Sequence, residues 1–164
     1  MAIVPTEIKY RLSGGAANSN PAASLGGVKS SVDVPVGIFD DVSSAEAGAG
    51  ITDYRCVYVQ NTNGTLTLIG AKLWIQAQTP SPGTEIFVGL GTSGLNATEQ
   101  TIANETTAPT GVTFSSPASF AAGLTLGDVP SGQHFPVWIR RVVTAGAAAA
   151  SDTFTLRVQG DTNP

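Results

Sequence analysis

Apolar residues in this chain recur with a period of two, and that alternation constrains its fold more than any other feature. In ITDYRCVYVQ, residues 51–60, Tyr54, Cys56 and Tyr58 fall on one side. In HFPVWIRRVV, residues 134–143, Phe135, Val137, Ile139 and Val143 do the same. Successive side chains of a strand point to opposite faces, so this spacing predicts strands that each bury one row. Weaker runs of the same kind occupy residues 6–12, 66–76, 84–91, 112–114, 123–129 and 153–158. Turn signals separate them about every ten residues, among them Asn61 to Gly64 (NTNG) and the stretch TPSPG at 79–83. Residues 51–76 therefore read as strand, Asn-Gly turn, strand. The one helix signal, Ser43 with Glu46 as a capping box, is followed by Gly48 and Gly50 and reads as a turn. These features predict an all-β chain folded as a single β-sandwich, of jelly-roll or immunoglobulin-like kind.

One long stretch breaks the alternation. Residues 13–27, SGGAANSNPAASLGG, are too small and polar to pack a core of their own and read as an extended N-terminal arm. Pro35 confines any strand in VKSSVDVPVGIFDDV to a sheet edge. The expected organisation is a strand and arm over residues 1–50 and a β-sandwich body over residues 51–164. A loop as long as the arm is functional, disordered, or ordered by a partner.

Charge narrows the function classes. Only 12% of the 164 residues are charged, about half the usual share, and the net charge is −4. The eight Lys and Arg are scattered apart from Arg140 and Arg141, which argues against a nucleic-acid partner. A surface so poor in charge suits contact with neighbouring subunits, and equally an ordinary β domain with a Thr-rich exterior. No apolar run approaches the ~18 residues of a membrane span, and Pro5 and Glu7 interrupt any secretion signal, so the protein is expected to be made and kept in a cytosol. Cys56 is the single cysteine, which excludes an intrachain disulfide and a multi-cysteine zinc site.

No catalytic signature accompanies these strands. His134, the one histidine, sits at a turn entering a strand with neither a nucleophile elbow nor a cysteine motif beside it. Asp40, Asp41 and Glu46 offer oxygen ligands, but their spacing matches no calcium loop and they read as solvated turn carboxylates. The glycine clusters match no phosphate-binding pattern. No catalytic, metal or cofactor residue is assigned. Arg140 and Arg141 must point to opposite faces of their strand. Trp74 and Trp138 lie opposite the main apolar rows of theirs, outside the expected core, where each either covers a sheet face under a loop or anchors an interface. The candidate interface comprises Trp74, Trp138 and Arg140 with Asn18, Pro21 and Leu25 of the arm.

Four segments carry a resemblance: LSGGAANSNPAASLGGVKSS, DYRCVYVQNTNGTLTLIGAKLWIQ, TIANETTAPTGVTFSSP and GLTLGDVPSGQHFPVWIRRVVTAGAAAASDTFTLRVQGD. Together they cover most of the chain, which resembles the small virion structural proteins of tailed bacteriophages. The resemblance implies a non-enzymatic particle protein made in the host cytoplasm and located on the virion. Its partners would be the major capsid protein, copies of itself, or both, with no nucleic acid, membrane or cofactor. A capsid decoration protein is the leading expectation, its arm lying along a neighbour by backbone pairing. Threefold assembly would suit capsomer junctions. A tail, neck or baseplate protein and a carbohydrate-binding adhesin are the alternatives.

Overall fold

In the computed structural model, which describes residues 2–148 and 152–162, the alternating runs become strands. In chain order they are β1 (Ile8–Leu12), β2 (Gly26–Gly27), β3 (Ile51–Asn61), β4 (Leu68–Ala77), β5 (Thr84–Leu90), β6 (Glu99–Thr101), β7 (Leu124–Val129), β8 (His134–Val143) and β9 (Thr155–Thr162). All pairings are antiparallel: a four-stranded sheet β1-β3-β8-β5, a three-stranded sheet β7-β4-β9 and a short β2-β6 ladder. Helix among the described residues is confined to two single 3-10 turns and α1 (Ser44–Ala49). The capping box of Ser43 and Glu46 forms in both directions, and it starts six helical residues where the glycines suggested only a turn. Gly50, at φ +77°, ends them.

The long strands alternate between sheets. From β3 to β4, β4 to β5, β7 to β8 and β8 to β9 the chain crosses from one large sheet to the other. The Asn-Gly turn therefore joins no hairpin, and the strands either side of it do not pair. The cause is Asn61, a buried turn residue whose side-chain amide donates to the Leu66 carbonyl at 2.8 Å and the Val129 carbonyl at 2.9 Å. The turn is thereby tied to the end of β7, in the opposite sheet.

Both large sheets contribute to one apolar cluster. Val57, Val59, Val137 and Ile139 come from the four-stranded sheet, and Leu73, Ile75 and Leu126 from the three-stranded one. Each such side chain, buried almost completely, contributes roughly 1.5–3 kcal/mol. The other face of the four-stranded sheet is buried too. Cys56 and Trp138, directly opposite each other on β3 and β8, lie there with Tyr54 and Ile102, and Leu25, Val112 and Phe114 cover them.

Leu25 belongs to the Gly/Ala/Ser-rich run, so that run is not a free extended arm: it lies across its own sheet. Ser13 and Ser24, both fully buried, fasten it where β1 has ended and β3 continues. Their hydroxyls donate to the Cys56 carbonyl at 2.8 and 2.7 Å, and the Cys56 N–H donates to the Ser24 carbonyl at 2.8 Å. The division at residue 50 marks no structural boundary either, because β1 is paired with β3 and Leu12 and Ile38 sit in the shared core.

Gly26 makes the return path of this cover feasible. Its φ is +95°, and a Cβ there would lie 1.8 Å from the Gln100 carbonyl oxygen. Gly26→Ala is expected to destabilise the fold by about 3 kcal/mol and lower Tm by about 10 °C. Gly48→Ala, on the exposed side of α1 with open space around it, is expected to leave Tm unchanged or slightly raised. Calorimetry of the two variants checks the contrast.

Candidate functional site

Charged side chains concentrate at one end of the four-stranded sheet. Asp53 and Arg55 continue the inward row of β3 beyond Val57, and Arg141 continues that of β8, directly opposite Asp53. Arg141 grips Asp53 Oδ2 through Nε at 3.0 Å and Nη2 at 2.6 Å, and its Nη1 donates to the Asp40 carbonyl at 2.6 Å. Arg55, fully buried, pairs with Glu105 and donates to the Tyr54 carbonyl at 3.1 Å. The Phe39 ring lies against both guanidiniums, 4.7 Å from Arg141 and 5.4 Å from Arg55. Burial pushes the Asp53 carboxyl above its usual range, although Arg141 opposes the shift. Its Oδ1 has no hydrogen-bond partner among the described residues.

A cavity of about 460 Å³ adjoins this cluster. Its floor is the inner face of the four-stranded sheet at Ile86 and Ile139, and its walls are residues 34–42 and the approach to β9 at Phe154 and Leu156. Arg141 and Asp40 line its polar end. Both guanidiniums already face carboxylates, so the site presents no free anion-binding fork. The ion pairs tie Asp40 and Glu105 to the ends of β3 and β8.

A second polar knot lies on the opposite face. Glu99 is 3% exposed and accepts five hydrogen bonds. Thr92 gives two, each at 3.2 Å, Ser93 gives two at 3.0 and 2.7 Å, and Trp138 Nε1 gives one at 3.3 Å. Burial alone would raise its pKa, but the donors on Ser93, Trp138 and Thr92 outweigh it and bring it down to about 2. A carboxylate so held is a clasp for its loop and a poor proton acceptor.

The six candidate interface residues do not form one surface. Trp138 is on the face expected but is completely buried, since the chain's own loops cover it, and the expectation that it stays outside for another subunit is corrected. Leu25 packs half-buried on the same cluster. Arg140 is half-buried, stacked over Phe87 at 4.1 Å and Phe114 at 5.1 Å. Asn18 braces its loop, donating to the Ser13 carbonyl at 2.6 Å and the Asn20 carbonyl at 3.0 Å. Pro21 starts the 3-10 turn that follows. Trp74 alone is on the other large sheet, half-buried on its outer face with Arg157 5.9 Å from its ring.

His134 packs edge-on against Tyr58, with ring centroids 5.0 Å apart, and its imidazole makes no hydrogen bond among the described residues. Burial lowers its pKa and so favours the neutral ring. Among the described residues no group of three or more His, Cys, Asp and Glu could hold a metal ion. Asp40 turns to the arginines, and Glu46 to the backbone of Ser43. No helix among the described residues is long and apolar enough to cross a membrane.

Sequence reading missed Glu99, Asp53, Arg55 and Glu105. Glu99 sits in a polar stretch with no local motif, and its Trp138 donor is 39 positions away. Asp53 and Arg55 did carry a signal, because they share the parity of Val57 and Val59 in a strand buried on both faces. No protein-family model, curated protein or solved structure matches the chain.

The Glu99 clasp gives a pH dependence with a definite sign. Its folded pKa is depressed, so its stabilisation is present above the unfolded carboxylate range near 4.5 and lost as pH falls toward 2. Asp53, raised by burial, acts in the opposite sense and in a higher window, its effect developing as pH rises from the ordinary aspartate value near 3.8. Glu99→Gln is expected to cost about 2–3 kcal/mol at pH 7, with the gap from the parent closing below pH 4, as read by urea unfolding across pH.

Proposed function

We propose that this chain is a non-enzymatic structural protein of a virus particle. The leading reading is a capsid decoration protein that binds the outer capsid surface, its partners being the major capsid protein and copies of itself. The observation that carries this is the use of its reactive side chains. Glu99, Arg55, Arg141, Ser13 and Ser24 are each engaged with groups of the same chain, and each fixes a loop onto a strand. Burial raises the Cys56 thiol well above its ordinary pKa, which removes it as a nucleophile. Such a molecule suits a role that requires a stiff, preformed shape. The exchange of strands between two sheets supports the finer reading of a β-sandwich of jelly-roll kind. The resemblance and the scarcity of charge support assembly on a particle.

The ordered path of residues 13–30 alters the mechanism. Stapling by a free arm is replaced by contact through preformed surfaces, repeated over many copies so that weak contacts add. The adhesin alternative loses Trp138 and would rest on Trp74, whose ring is half-buried beside Arg157. Quantitative mass spectrometry of purified particles tests the proposal. Hundreds of copies per particle are expected. A few dozen or fewer would move the protein to the neck or baseplate, and absence from particles would overturn the reading.

A further inference from the structure

The four edges of the two large sheets are treated differently. Along β1, residues 30–34 pair with the open side: the Leu12 N–H donates to the Val32 carbonyl at 3.0 Å, and the Val34 N–H to the Tyr10 carbonyl at 2.8 Å. On β5, Val88 exchanges two hydrogen bonds with Ser115, at 2.8 and 3.0 Å. On β7, Gly127 at φ +80° accompanies register shifts against β4, a distortion that discourages further pairing. The pairing of β9 with β4 also shifts register, but the extra residues lie on β4, and β9 itself stays regular with no segment paired to its outer edge among the described residues. Its eight residues alternate strictly between exposed and half-buried, and among the described residues no backbone group from another segment bonds to its outer side. Two lighter contacts reach it. The Ile3 N–H donates to Thr162 Oγ1 at 3.2 Å, and the Tyr10 hydroxyl faces the Val158 backbone.

The charges on this edge complement themselves. Arg157 and Asp161 are exposed on the same face of β9, and neither has an ion-pair partner among the described residues. Four residues apart on a strand, they are about 13 Å from each other and cannot bridge. We propose that a second copy of this chain docks along the free edge of β9, antiparallel about a two-fold axis at Gln159, so that the two three-stranded sheets become one of six strands. In that register Arg157 meets Asp161 of the second copy, and Asp161 meets its Arg157. Val158 meets Gly160 of the second copy, where no side chain obstructs the approach, and the Tyr10 contact at Val158 gives way to a backbone bond. Centring the pair on Arg157 or Asp161 would oppose like charges, and centring it on Val158 would leave both unpaired. The axis stands perpendicular to the sheet, so the inward rows of both copies remain on one side, and the interface is isologous. This pairing stands whether or not the chain is a particle protein.

Charge exchange tests it on the full chain. Sedimentation velocity from micromolar to hundred-micromolar concentration is expected to show a dimer. R157D and D161R should each be monomeric, and R157D/D161R together should restore the dimer. A parent protein that stays monomeric at the highest concentration, single variants that still dimerise, or a double variant that does not recover would each overturn the proposal. Gln159→Cys supplies a second readout independent of charge. Opposed at the axis, the two thiols are within disulfide reach, and Cys56 is buried and cannot compete. Oxidation should give a covalent dimer in high yield, and a variant that stays monomeric on oxidation would rule out this register.

Discussion

The antiparallel pairing of β3 with β8 is the constraint on which the rest of the molecule depends. It runs in unbroken register from Ile51 opposite Val143 to Gln60 opposite His134, and both strands are buried on both faces for most of that length. A strand pair with two buried faces needs two covers. The inward face receives β4, β7 and β9 and closes the main core. The outward face, carrying Cys56 and Trp138, receives no second large sheet and is covered by loops.

Loops make a poor cover unless their backbone polar groups find partners, and the polar knots supply them. Ser13 and Ser24 meet the one Cys56 carbonyl that β1 no longer reaches. Glu99 gathers the donors of Thr92 and Ser93 and holds them to Trp138. At the charged end of the pair, Arg55 and Arg141 draw Glu105 and Asp40 onto the strands. Each knot joins a segment distant in sequence to β3 or β8, so the covering loops are held by long-range polar ties as well as by apolar burial.

The legible part of the fold was the part governed by local periodicity. The parity of β3 and β8, the split of Arg140 from Arg141 and the placing of Trp138 opposite the Val137 row all follow from alternation, and all appear in the structure. What covers a face does not follow from alternation, so the sequence left Trp138 open between covering a sheet face under a loop and anchoring an interface. The glycine and serine run read as an extended arm because its order comes from buried hydroxyls and from Gly26 passing close to Gln100, contacts no local window contains. The Asn-Gly turn suggested a hairpin because the turn residues are suited to one, but the bond from Asn61 to Val129 directs the chain to the other sheet. Of the candidate site, Glu99 was out of reach for the same reason as the cover, whereas the inward Asp53 and Arg55 could have been found by following both faces of β3.

Native-state hydrogen exchange tests most directly whether residues 13–30 are an integral cover of the β3–β8 pair. The amides of Ser13 and Gly26, bonded to the Ser24 and Ser13 hydroxyls inside the cover, and of Cys56 and Ile102, bonded to the cover's Ser24 and Leu25 carbonyls, are expected to exchange only by global unfolding, with the same free energy as the other amides of β3 and β8. Exchange of these four on the time scale of an open loop, while the remaining amides of β3 and β8 stay protected, would contradict the account.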